Sequence, residues 1–157
     1  SLKYFLTGSF ATGILLFGIA WIYGSTGSFD LLEIKNAILN STHNSSLLYV
    51  GVLLVLASFL FKIGAVPYHF WSPDVYAGSP ATIMGFMASV VKIAAFAAIL
   101  RLFTDTFDSI SGVWGPLVLG VSVLSMFVGN LSAIKQTRVR RLLAYSSIAH
   151  VGYACWQ

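Results

Sequence analysis

The chain has 157 residues, of which 57% are hydrophobic and only 9% charged, with a mean hydropathy of +0.85. Soluble domains carry about 25% charged residues, so the composition excludes an ordinary soluble domain and points to an all-α polytopic transmembrane helix bundle. The net charge of +4 owes most to Lys135, Arg138, Arg140 and Arg141, a short basic loop that suits membrane topology or anionic lipid rather than nucleic acid.

About five spans are expected within a single membrane domain over residues 1–157, at about 4–23, 47–71, 81–103, 116–134 and 142–157. The first carries Gly8, Ser9, Gly13 and Gly18 at near-helical spacing, which in lipid permits close helix approach. An amphipathic stretch from Phe29 to Lys35 follows and is expected to lie along the interface. Asn40-Ser41-Thr42 and Asn44-Ser45-Ser46 match glycosylation sequons, a pattern that arises by chance in Asn/Ser-rich loops.

The second span holds Lys62, Gly64, Pro67 and His69 in its latter half. Pro67 has no amide hydrogen and would leave the Ile63 carbonyl without its helical partner, and Gly64 adds local freedom. One span is therefore expected to break at mid-membrane, at Gly64 and Pro67. Residues 72–80 read as a turn, with Ser72 and Ser79 each capping a helix ahead of a proline. Asp74 would sit in the first turn of a short helix, as a capping residue before a proton acceptor, and Gly78 would end it.

The third span has Lys92 at its midpoint. A polar loop at 104–115 leads to the fourth span, starting near Pro116, and the basic loop leads to the fifth. Trp21, Trp71 and Trp114 are expected near span ends, where indoles prefer to sit. Loops alternate sides, so Lys3, the 72–80 turn and the basic loop share one side, assigned to the cytoplasm or matrix by its excess of basic residues. The chain reads as a fragment: it lacks an initiating Met, and its last run of sixteen residues reaches about 24 Å, short of the ~30 Å hydrocarbon core.

The chemistry follows from a charge inventory. The acidic residues all lie in loops or turns, whereas Lys62, Lys92 and His150 lie inside spans and His69 near an end. A charge at the bilayer centre costs about 2.5–3.5 kcal/mol on insertion scales. Such a lysine either loses its proton or meets a counter-charge, and a lysine that alternates between the two is a proton switch. Broken helices at mid-membrane solvate ions, and histidine relays protons near neutral pH. Lys62, Lys92, His150 and His69 are the candidate proton relay. Against them stand snorkelling for Lys62 and structural hydrogen bonding for both histidines. Lys62 and His69 would share a face of a continuous helix. The lone Cys155 offers neither disulfide nor metal site, and no cofactor-binding residue is recognised.

The segments FKIGAVPYHFWSPDVYAGSP at 61–80, VKIAAF at 91–96 and RLLAYSSIAHVGY at 141–153 resemble the antiporter-like subunits of respiratory complex I. The Pro-Asp-Val-Tyr form followed by Gly-Ser-Pro is most similar to the N-type branch, subunit 2 in mitochondria. The resemblance covers essentially the whole chain. It implies two inverted five-helix repeats, with the first three spans closing one and the last two opening the next. It also implies that Lys62 matches the lysine of the broken helix, Lys92 the lysine of the helix after it, and His150 a histidine on the central polar axis. A partner glutamate would precede the first span and an exit-side lysine would follow Gln157.

The expected function is that of a proton-translocating membrane-arm subunit of NADH:quinone oxidoreductase, a respiratory-chain translocase. Its partners would be the other membrane-arm subunits and the lipid bilayer. NADH, flavin, iron–sulfur clusters and quinone would be bound by other subunits, with no redox centre in this chain. The bacterial cytoplasmic membrane is preferred to the mitochondrial inner membrane as its location. An Mrp-type cation/proton antiporter subunit is the alternative, and a purely packing subunit a third reading.

Overall fold

The computed structural model describes residues 2–40 and 46–156. All regular structure among them is helical. Four helices are long and apolar enough to cross a membrane: Leu2–Thr26, Ser46–Gly78, Ala81–Thr106 and Asp108–Ile134. The fifth expected span is a helix at Val139–Trp156. It falls outside that set because Arg140 and Arg141 occupy its first turn and Ser146, Ser147 and His150 its middle. Both sequons fall wholly or partly outside the described residues.

The first three elements form one packing group. Helix α1, Leu2–Thr26, lies along α3, Ser46–Ile63. The two approach so closely that a Cβ on Gly18 would come within 2.9 Å of the Gly51 carbonyl oxygen. Farther along the seam, the buried Ser58 hydroxyl donates to the Ala11 carbonyl at 2.8 Å. In lipid, such small-residue contacts and interhelical hydrogen bonds replace the hydrophobic drive. Of the glycines expected at this seam, only Gly18 is there; Gly8 and Gly13 have nothing within 4 Å of a Cβ position and border a cleft instead. The amphipathic stretch becomes α2, Leu31–Asn40. Asp30 caps it, accepting from the Leu32 amide at 2.9 Å.

The break in the second span is real, and of the two residues expected to make it, Gly64 rather than Pro67 ends the helix. Helix α3 ends at Ile63, and Gly64 takes φ +72°. The Ala65 amide reaches the Leu60 carbonyl at 3.0 Å and the Gly64 amide the Phe61 carbonyl at 3.1 Å. These are the paired bonds of a Schellman motif, which needs a left-handed residue at Gly64. The helix has thus already terminated three residues before Pro67. Pro67, in a cis peptide bond, instead opens the return into helix: a 3-10 turn at Tyr68–Phe70 and then α4, Trp71–Gly78. The indole of Trp71 donates to the Phe61 carbonyl at 3.1 Å, pinning the second half-helix onto the end of the first. Trp71 is 3% exposed, so it plugs the break rather than marking a span end.

The expected serine caps are absent as well. Phe70 caps α4 and makes no side-chain bond, because the 3-10 turn runs directly into the helix, leaving Ser72 inside it and buried. Pro80 precedes α5, again without a side-chain cap. Gly78 is the last residue of α4, and Ser79 is extended.

The third span is one helix with two changes of pitch: α5 at Ala81–Phe86, a π segment at Met87–Val91, α6 at Lys92–Leu100 and a second π segment at Arg101–Thr106. The expected loop at 104–115 shrinks accordingly. A 3-10 turn at Asp108–Ile110 leads into α7, Ser111–Ile134, with Pro116 inside the helix rather than at its start. The Trp114 indole secures this corner by donating to the Phe107 carbonyl at 2.9 Å.

Helices α7 and α8 (Val139–Trp156) form the second packing group. A Cβ on Gly129 would meet the Ala149 amide nitrogen at 2.7 Å, and one on Gly152 the Ser122 carbonyl oxygen at 2.8 Å. The Ser122 hydroxyl donates to the Gly152 carbonyl at 2.6 Å. The two groups join at the break, where the Val66 amide donates to the buried Ser125 hydroxyl at 2.9 Å.

Candidate functional site

The π segment at Met87–Val91 ends where Lys92 begins. Such pitch changes re-aim the following side chain and recur at functional sites. Lys92 is 6% exposed. Its Nζ donates to the Ser147 hydroxyl of α8 at 2.5 Å. The mid-span amine therefore points into protein, toward the second packing group, and not outward against acyl chains. Ser147 is the first partner of that amine, and no reading of its type in isolation marked it out. The available signal was its place one turn before the candidate His150 on the same helix.

Lys62 has a different setting. It is the penultimate residue of α3, half-buried, with Nζ 5.9 Å from the centre of the Phe59 ring. A cation over an aromatic face at that distance gains about 0.5–1 kcal/mol. Among the described residues it makes no hydrogen bond or ion pair. It borders a cleft of about 710 Å³ whose opposite wall is α1, with Tyr4, Ser9 and Thr12 among its few polar groups. Val91, the residue before Lys92, lines the same cleft.

The histidines are placed apart from these amines. Helix α3 ends before His69, which lies in the 3-10 turn. The seven-residue spacing from Lys62 therefore does not put the two on one continuous face. His69 has a buried Nδ1 that makes no well-formed hydrogen bond among the described residues, its ring lying against the Pro67 backbone. His150 is exposed, its ring 6.1 Å from that of Tyr153 in an edge-on arrangement. No hydrogen bond links either histidine to Lys62 or Lys92 among the described residues.

Asp74 lies in the first turn of α4, as expected, but Phe70 and not Asp74 is the cap residue. Its carboxylate pairs with Lys3 of α1 at 2.9 Å and with Arg141 of α8 at 3.5 Å. Arg140 adds a bond from its guanidinium to the Ser79 carbonyl at 3.2 Å. Lys3, the α4 region and the basic loop therefore do share one end of the bundle. No group of three or more His, Cys, Asp or Glu residues suited to a metal occurs among the described residues.

Residues 1–157 match the protein family described as NADH:quinone oxidoreductase/Mrp antiporter, TM. The NADH-quinone oxidoreductase subunit N of Magnetococcus marinus is 51% identical over 154 residues, covering 98% of this chain and 32% of that protein. Among solved structures, a chain of respiratory complex I from Thermus thermophilus with bound aureothin superposes with a TM-score of 0.79 at 42% identity, over 97% of this chain and 32% of that one. A chain of the Mrp complex from Dietzia sp. DQ12-45-1b gives 0.87 at 26% identity, over 98% and 28%. The present chain spans about a third of the length of the curated relatives it matches.

Proposed function

The chain belongs to the NADH:quinone oxidoreductase/Mrp antiporter transmembrane family, and from that premise we propose that it forms part of a proton-translocating N-type subunit in the membrane arm of a bacterial NADH:quinone oxidoreductase. The other membrane-arm subunits and the lipid bilayer are its partners. The redox groups reside in other subunits, and quinone reduction there drives proton movement here.

One observation carries this reading: the Lys92 amine is buried mid-span yet hydrogen-bonded, to Ser147 of α8. Lipid would expel an idle ammonium, and replacing a buried charge by an apolar side chain is often neutral or stabilising, so a retained one has a task. Lys62 and Lys92 exchange protons through water, and the two histidines extend the relay. Protons arrive from the side bearing Lys3 and the basic loop. Moving one charge against 100 mV costs about 2.3 kcal/mol, so the drive must swing a lysine's proton affinity by more than one pH unit.

The test is Lys92→Ala in the full-length subunit, within the assembled complex reconstituted in vesicles. Loss of NADH-driven proton uptake supports the reading, and wild-type uptake rejects it. The alternative, an Mrp-type cation/proton antiporter subunit, is favoured by the 0.87 TM-score to the Mrp complex chain. The identity to subunit N relatives, 51% against 26%, favours the first reading. Co-purification separates them: a flavin and iron–sulfur arm supports the oxidoreductase, whereas purely Mrp-like partners support the antiporter.

A further inference from the structure

Four buried side-chain polar atoms make no well-formed hydrogen bond among the described residues: His69 Nδ1, Ser72 Oγ, Tyr76 Oη and Arg141 Nε. Buried polar atoms are paired in the large majority, so each exception calls for an explanation. These four are not scattered. His69, Ser72 and Tyr76 follow one another at i, i+3 and i+7, one face of the turn-and-helix after the break. Arg141 begins the helix packed against that segment.

The face leads somewhere. The Tyr76 hydroxyl neighbours the hydroxyls of Ser72 and Ser147, and Ser147 is the partner of the Lys92 amine. Ser72 and Tyr76 are 0% and 1% exposed, so neither hydroxyl is solvated from outside the bundle. Three other buried hydroxyls behave differently. Ser58, Ser122 and Ser125 each engage a backbone group of a neighbouring helix or of the break. Those are packing bonds. Ser72 and Tyr76 make none, which leaves their oxygens free for one another and for water.

We propose that Ser72, Tyr76 and Ser147 form a hydroxyl relay that carries protons to Lys92 from the α4 end of the bundle, with His69 at its outer end. The proposal rests on the proton-translocating reading above and adds a route to it. As an ammonium, Lys92 donates to Ser147 Oγ. Once Lys92 has passed its proton onward, its lone pair accepts the Ser147 hydroxyl proton. Ser147 takes the proton of Tyr76, Tyr76 takes that of Ser72 directly or through a water, and Ser72 is refilled from water beside His69. Each hydroxyl gives one proton and receives one, so no oxyanion persists. Lys92 gains one proton and the α4 end loses one. A phenol and two alcohols suit this task because each both donates and accepts.

The test uses the full-length subunit in the assembled complex, reconstituted in vesicles, with NADH-driven proton uptake as the readout. Tyr76→Phe and Ser147→Ala are each expected to lower uptake roughly tenfold, equal to about 1.4 kcal/mol on the transfer barrier. Ser147→Thr, which keeps the hydroxyl, is expected to restore it. Lys92→Ala is measured alongside. If Lys92→Ala abolishes uptake while Tyr76→Phe and Ser147→Ala pump as wild type, the relay is overturned and the function stands. If Lys92→Ala also pumps as wild type, the function falls and the relay with it. Should Tyr76→Phe fail to assemble, the Ser147 pair decides: low for Ala and restored for Thr supports the relay, and equal uptake by the two overturns it.

Discussion

The amide of Val66, in the gap between two half-helices, is held by the hydroxyl of Ser125 from a helix 59 residues further along the chain. A helix break inside a membrane leaves backbone groups that no water from the lipid can satisfy, so another helix has to supply the partner. Ser125 is that supply, and it makes the α7–α8 pair part of the break rather than a neighbour of it. Ser125→Ala leaves a buried donor unpaired and is expected to cost about 1–3 kcal/mol. The thermal midpoint of the purified complex checks this, and an unchanged midpoint would mean that Val66 finds another acceptor.

Gly64 can be tested apart from its surroundings. A Cβ there meets nothing nearer than 3.7 Å, but the residue sits at φ +72°, so any penalty comes from the backbone alone. Gly64→Ala is expected to destabilise by about 1–2 kcal/mol, and Gly64→Asn by less, because asparagine tolerates the left-handed region. Equal midpoints for the two variants would count against the Schellman termination.

At the α7–α8 seam, space rather than φ decides. Gly129→Ala and Gly152→Ala would drive a Cβ into backbone at 2.7 and 2.8 Å, an overpacking expected to cost about 1–3 kcal/mol each. Gly120, on the same α7, has nothing within 4 Å, and Gly120→Ala is expected to be neutral or stabilising. Assembly yield of the three variants distinguishes a tight seam from a general intolerance of alanine.

Lys92→Met separates stability from function. Exchanging a buried amine for an apolar side chain of similar length is expected to be neutral or stabilising, by up to about 4 kcal/mol, while proton uptake is lost. A variant that assembles poorly but pumps normally would show the lysine to be structural.

Asp74 offers the opposite contrast. Its two ion pairs are open to water, with side-chain exposures of 72%, 44% and 41% for Lys3, Asp74 and Arg141. Exposed pairs contribute about 0–1 kcal/mol each. Asp74→Asn should therefore shift the midpoint little and leave pumping intact, with the shift shrinking further at high salt. Collapse of uptake would instead make Asp74 a proton acceptor.

What was visible in the sequence, and what was not, divides by residue. Lys92 stood out because a cation in an apolar run is anomalous wherever the run folds. The break near Gly64 and Pro67 is visible for a similar reason, but which of the two ends the helix is not: proline is the louder signal, while the Schellman bonds of Leu60 and Phe61 depend on a φ value at Gly64 that spacing does not report. The cap expected at Ser72 is absent because the 3-10 turn at Tyr68–Phe70 runs directly into α4 and leaves Ser72 inside the helix. Asp74 looked like a local cap because its partners, Lys3 and Arg141, are remote in the chain. Ser125 and Tyr76 carry no signal above that of ordinary small or aromatic residues, Ser72 signals only a helix cap, and Ser147 only its place one turn before His150.

The linear chain was sufficient for the helical membrane class, the anomalous mid-span position of Lys92, the presence of a broken span and the family. Each follows from hydropathy, from what a residue can do with its own backbone, or from motifs that are contiguous. Which helices press together, whose hydroxyl meets Lys92 and whose meets Val66 were decided only by the folded bundle. Those contacts are matters of distance between remote segments, and a bilayer supplies no water to stand in for a wrong partner.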